Sequence, residues 1–285
     1  MTPAPVHPFV HGPALADGPA LAQWLAKRAA DGARPLVRLP VLVLLANPPS
    51  TVQGARLLGA APDAATLTLD DSALGIGLAD RARQACPGAA ECPLWLEGRW
   101  TGAGFAVTHV GAVVSDAERQ AGLTARLELP GARAEVVALV ERLSSSATSD
   151  EKEATGRALI ASGVDAIPVL IAALDDGRAW ETRDVANRMN LPNNNLPNNA
   201  KVEPLIVTRK VGERCRELLH EVVTPAPTAP PKGNLKLISP QVLLVDDWPG
   251  FWAKRRGKTL AQIHDELRPL VDAYFANRGA PQRVH

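Results

Sequence analysis

Cysteine, histidine and carboxylate spacing bounds the chemistry open to this chain. Cys86 and Cys92 bracket a short loop, Cys-Pro-Gly-Ala-Ala-Glu-Cys, and could close a small disulfide ring in an oxidising compartment. Two free thiols are the alternative. A zinc site would need two further ligands at matching spacing, and none lies nearby in the sequence. Cys215 sits on the apolar face of a helical pattern and reads as a small core residue. The six histidines are scattered. His7 and His11 are four apart, but Pro8 between them argues against a helical metal-binding face. His264-Asp265-Glu266 are consecutive on a helical pattern, so their side chains point in different directions. The acidic pairs Asp70–Asp71, Asp175–Asp176 and Asp246–Asp247 all fall at element ends, where aspartate caps or turns the chain. Gly-x-Ser-x-Gly, His-Glu-x-x-His and Cys-x-x-Cys are missing from the sequence. The expectation is a protein with no catalytic residues, no bound metal and no cofactor.

Two glycine loops invite a nucleotide reading, and both fail on spacing. Gly257-Lys258-Thr259 has the closing residues of a phosphate-binding loop, but that motif needs glycine five positions earlier, where Trp252 stands. Thr259 with Gln262 makes a helix capping box instead. Gly75-Ile76-Gly77 runs from a strand into a helix, yet Asp80 occupies the third glycine position, and its carboxylate would repel a pyrophosphate. The remaining cluster is Lys254, Arg255, Arg256 and Lys258 beside Trp248, Phe251 and Trp252. Such pairings can contact phosphates and stack bases, and Trp95 with Arg99 on a predicted strand would add a second part to that surface. The competing expectation is that the three rings pack inward while the cations stay solvated. Near-neutral charge favours packing.

The formal net charge is +1 over 285 residues, so the whole chain is no polyanion trap. Hydrophobic residues at 46% exclude a disordered chain. No apolar run approaches the roughly 18–20 residues that span a bilayer. The start, Met-Thr-Pro-Ala-Pro-Val-His-Pro-Phe-Val, has neither a basic nor an apolar leader region. As it stands this predicts a cytoplasmic chain. The same Pro/Ala-rich start suits a mature envelope or periplasmic protein whose leader has been removed, and the Cys86/Cys92 loop leans that way.

With 25 prolines and 22 glycines, the elements should be short and the connections long. A Pro-rich arm and a helix bearing Leu21, Trp24 and Leu25 on one face occupy residues 1–35. Strands are expected at 36–45 and 65–70, a short helix through Leu78 and Arg81, then a hairpin of 92–100 and 105–114 turned at Gly102–Gly104. This strand–strand–helix–strand–strand order resembles an OB-like barrel, which implies a β-rich domain over 36–143. Ser144–Ser149 reads as a linker. Beyond it the period becomes helical. Asp150 and Glu153 suggest a capping box, and Asp165 precedes Ala-Ile-Pro-Val-Leu-Ile-Ala-Ala-Leu. That helix–Gly–Asp–helix unit is similar to a HEAT repeat of the short bacterial type. A looser second unit would use helices at 180–188 and 211–223, and a Trp-rich block with a helix from Thr259 would cap the array. The resemblances imply an α+β chain: an OB-like domain followed by an all-α HEAT-like domain over 150–285.

The repeat resemblance and the missing catalytic motifs together predict a non-enzymatic protein-binding or scaffold protein whose partner is another protein. The alternative is a single-stranded nucleic-acid-binding protein using Trp95, Arg99, Lys254, Arg255, Arg256 and Lys258.

Overall fold

The computed structural model describes residues 8–15, 18–30, 35–46, 52–58, 67–102, 104–144, 148–184, 206–229, 242–276 and 281–284. The organising element is β2 (Val37–Leu45), the long apolar run the sequence marks as a strand. Its alternate residues Val37, Leu39, Val41 and Val43 are fully buried. β5 (Glu91–Trp100) runs antiparallel along one side of it, from the Val37–Gly98 pair to the Leu44–Glu91 pair. On the other side β2 is shared: Val37 and Arg38 pair with β7 (Thr124–Glu128), while Val41–Leu45 pair with β3 (Val52–Leu57). β6 (Phe105–Val113) pairs with β5 and, in parallel, with the short β4 (Leu69–Asp70). Leu67 bridges to Ala55 on β3, so hydrogen bonding runs in a circuit through β2, β3, β4, β6 and β5. At the far edge β1 (Phe9–Ala14) pairs with β7, giving a seven-stranded sheet.

The expected architecture, an OB-like β domain followed by an all-α HEAT-like domain, is corrected by this arrangement. The fold is mixed α/β. Its sheet draws in β1 from the stretch read as a Pro-rich arm, and helices are interspersed along the chain. The C-terminal half is not all-α. Residues Ala179–Asp184, expected to begin a helix, form β8, antiparallel to β9 (Ile206–Lys210). Leu243–Leu244 and Gln282–Arg283 form the short parallel pair β10 and β11. Cross-strand pairing outweighed local helical periodicity at Trp180, where Thr182 and Thr208 stand opposite each other with hydroxyls 3.3 Å apart.

Helices cover the sheet and each other. They are α1 (Gly18–Ala30), α2 (Leu78–Ala85), α3 (Asp116–Ala121), α4 (Ala134–Glu141), α5 (Ser149–Ala161), α6 (Ala166–Ala172), α7 (Val211–Val223), α8 (Trp248–Ala253) and α9 (Leu260–Ala276). On α1 the expected stripe of Leu21, Trp24 and Leu25 is buried. Trp24 lies over β1 at Gly12, where an added Cβ would sit 2.9 Å from the indole. The helix after Ser144–Ser149 is capped by Thr148 with Glu151, two residues before the expected pair. Thr259 and Gln262 do exchange capping hydrogen bonds ahead of α9. The buried core is continuous: Val10 and Leu127 of the sheet, Val140 and Leu143 near α4, Leu170 of α6, Leu219 of α7 and Trp248 belong to one cluster.

Cys86 and Cys92 are joined, with Cα atoms 5.7 Å apart, tying the end of α2 to the start of β5. Cross-linking residues six apart removes denatured-state freedom on the order of 2 kcal/mol. Reducing the bridge, or the Cys86→Ser/Cys92→Ser double variant, should lower unfolding stability by about that amount in urea titrations. Equal midpoints for the oxidised and reduced protein would contradict it. Cys215 is fully buried, and burial pushes its thiol far up, out of the reactive range.

Candidate functional site

Asp247 caps α8 by accepting from the Gly250 N–H at 3.1 Å, and Pro249 sits in the first turn. That short helix aims Trp248 and Phe251 inward, and both are 4% exposed. The Trp248 ring meets the His220 ring of α7 edge-on at 4.9 Å and the Phe251 ring at 5.4 Å. The inward partners are thus α6 and, through His220, α7, more than the C-terminal helix. Burial and the positive charge of Arg216 depress the His220 imidazole to about 4. Trp252 is only half-buried.

The four cations of this block divide. Arg255 is 4% exposed, lies over the Phe251 ring at 4.1 Å, donates to the Phe251 carbonyl, and pairs with Glu266 of α9. Lys258 reaches the same carboxylate at 2.7 Å. Its hydrogen bond, with help from Arg255 and against burial, holds the Glu266 carboxyl below the usual range. These two cations fasten α8 to α9. Lys254 and Arg256 remain exposed, outside any ion pair among the described residues. On the sheet, Trp95 is 5% exposed, its indole N–H donates to Glu118 at 3.2 Å, and the Arg126 guanidinium covers its ring at 4.3 Å. It offers no open face to a base. Arg99 is exposed on β5, away from the C-terminal block in the chain. Of the sequence-predicted binding residues, Trp95 and Arg255 are thus buried and Lys258 is ion-paired, while Arg99, Lys254 and Arg256 are exposed.

What does assemble is a cleft of about 980 Å³. Part of its lining is the end of β7 and the turn after it, between Leu127 and Ala132; another part is α6, through Pro168, Ile171 and Ala172, with Leu174 just beyond it. Val245, Trp248, Pro249 and Trp252 close one end. Lys27, Arg216 and Arg256 stand at the rim with Asp175, Asp246 and Asp247. Leu129, Ile171, Leu174, Val245 and Trp252 are half-buried, packed on the core by one side and facing the opening by the other. Of the lining residues Trp248, Trp252 and Arg256 lie in the basic-aromatic block that the sequence singles out. Pro168, Ile171 and Leu174 lie in the HEAT-like segment, and no local motif marks Leu129 or Val245.

A second polar constellation lies under the sheet edge. His11 on β1 contacts the Thr124 hydroxyl at 2.5 Å through Nδ1 and the Glu141 carboxylate at 3.1 Å through Nε2. Arg178 donates to Glu141 at 2.7 Å and forks onto the 1%-exposed Asp176. Burial would raise the Glu141 carboxyl, but His11 and Arg178 outweigh it and hold it below the usual range. Hydroxyl, imidazole and carboxylate are in the order of a nucleophilic triad. However, Thr124 is 4% exposed, and the nearby amides of Leu15, Gly122 and Gly177 are already bonded to carbonyls, leaving none of the three to hold an oxyanion. The chain from His11 to Asp176 instead ties β1 and β7 to α4 and the turn after α6. Among the described residues no group of three His, Cys, Asp or Glu side chains is placed to hold a metal ion.

Comparison with protein-family models, curated proteins and solved structures finds no match.

Proposed function

We propose that the protein is a non-enzymatic binding module that takes a segment of a partner protein into the cleft between the β7 turn, α6 and α8. The observation that carries this reading is the lining of the cleft: half-buried aliphatic and indole side chains from separate segments, Leu129, Ile171, Leu174, Val245 and Trp252, gathered at one opening among exposed charged groups. Sites that hold apolar side chains of a ligand are built in this way. Helix α6, the second helix of the unit whose sequence resembles a HEAT repeat, contributes to the lining, which agrees with a binding role. Nucleic acid is the weaker reading, because Trp95, Arg255 and Lys258 are already engaged within the protein.

Peptides selected from a random phage-displayed library on the intact protein should bind through the cleft. Ile171→Glu and, in the turn after β7, Leu129→Glu should each weaken them at least tenfold, the effect of about 1.4 kcal/mol, in variants that melt near the parent. A photoreactive group in the peptide should cross-link to residues 127–132 or 245–252. Failure to select any peptide, or cross-links confined to other surfaces, would overturn the proposal whether or not the variants fold.

A further inference from the structure

Resting on that reading, we infer that the cleft selects an acidic segment: an extended stretch with apolar anchors flanked by aspartate or glutamate. The rim carries charges of both signs, but they are not equally available. Asp246 pairs with Arg283 at 3.6 Å. Asp247 spends its carboxylate on the α8 cap, and Asp175 is engaged within the protein as well. The three rim cations differ. Lys27 of α1, Arg216 of α7 and Arg256 beyond α8 are exposed, and none makes an ion pair or hydrogen bond among the described residues. Arg216 is instead close enough to His220 to disfavour its protonation. All three rim cations thus stand outside ion pairs among the described residues, whereas Asp246 is matched by Arg283 and Asp175 and Asp247 already have partners within the protein, although the chain as a whole is nearly neutral. Rim charges of one sign steer and select ligands of the other, more strongly at low salt.

The walls distinguish an acidic polypeptide from a nucleic acid. Leu129, Ile171, Leu174 and Val245 offer aliphatic surface; of the two lining indoles Trp248 is covered by His220 and Phe251, and Trp252 at the cleft end is half-buried. Apolar side chains fit such walls; bases need open ring faces.

The test uses fluorescein-labelled versions of a selected peptide on the full chain: the parent sequence, one with every acidic residue changed to glutamine, and one with them changed to lysine. Anisotropy should rank them acidic, neutral, basic. The first step should be roughly tenfold at low salt and should shrink as salt rises. Arg216→Glu/Arg256→Glu should invert the order, and both residues are exposed, so folding is little affected. Equal binding by all three peptides, with Ile171→Glu still abolishing it, would refute the acidic preference and leave the cleft reading standing. Peptide binding that Ile171→Glu and Leu129→Glu both spare would refute both. An oligothymidine that binds tighter than the peptides and is lost on Lys254→Glu would replace both with a nucleic-acid surface.

Discussion

Trp248→Ala should destabilise the protein by about 3–5 kcal/mol, the cost of deleting a core aromatic. The indole is 4% exposed, touches the His220 and Phe251 rings, and belongs to the same buried cluster as Leu170 and Leu219. Removing it leaves a cavity beneath the cleft that α6 and α7 cannot both close, since each is held elsewhere in the core. The melting temperature should fall on the order of 10 °C. Trp252→Ala, which truncates a half-buried ring at the cleft end, should cost clearly less stability but more binding. A Trp248→Ala protein within about 1 kcal/mol of the parent in urea unfolding would show that α8 is not part of the core.

The second large effect is a pH dependence centred on His220. Its imidazole sits at about 4 in the folded protein against an ordinary 6.5, because burial against Trp248 and the charge of Arg216 disfavour protonation. Between those values the unfolded chain binds a proton that the folded protein does not, so stability must fall as pH falls through that window. At pH 4.5 the loss relative to pH 7 is about 2–3 kcal/mol, an upper figure because the ring is only partly buried. His220→Phe keeps a ring against Trp248 and removes the titration. Its stability relative to the parent should therefore improve by that amount between pH 7 and 4.5. Carboxylates held low, such as Glu141 and Glu266, titrate in both proteins and cancel in the difference. A constant difference across the window would contradict the account.

Much of the local structure is legible in the residues, and the sheet's reach is not. The apolar run at 37–45, the strands at 91–100 and 105–113, and the helices at 211–223 and 260–276 form where periodicity places them. The Thr259–Gln262 cap and the Cys86–Cys92 closure also follow from spacing. β1 escapes notice because Phe-Val-His-Gly-Pro-Ala has no alternation, and its proline lies where the register with β7 shifts between His11 and Ala14. β3, Val-Gln-Gly-Ala-Arg-Leu, is too polar to mark a strand until β2 pairs with it. β8 is decided by its partner β9 across a long separation, which no window of local sequence contains. The same reason hides the cleft. Leu129, Ile171 and Val245 are ordinary half-apolar positions in three separated segments, and only the continuous core brings them to one opening. By contrast, the basic-aromatic run from Trp248 to Lys258 stands out in the sequence, and packing consumes most of it.

The six tryptophans make the central claim directly measurable. Trp248 and Trp252 lie at the cleft, while Trp24, Trp95, Trp100 and Trp180 are held in other parts of the fold. In an indole N–H correlation spectrum of the ¹⁵N-labelled protein, a selected acidic peptide should shift the Trp248 and Trp252 resonances and leave the Trp95, Trp100 and Trp180 resonances in place. Shifts at Trp95 or Trp180 with Trp252 unmoved would place the ligand elsewhere and contradict the cleft as the binding site.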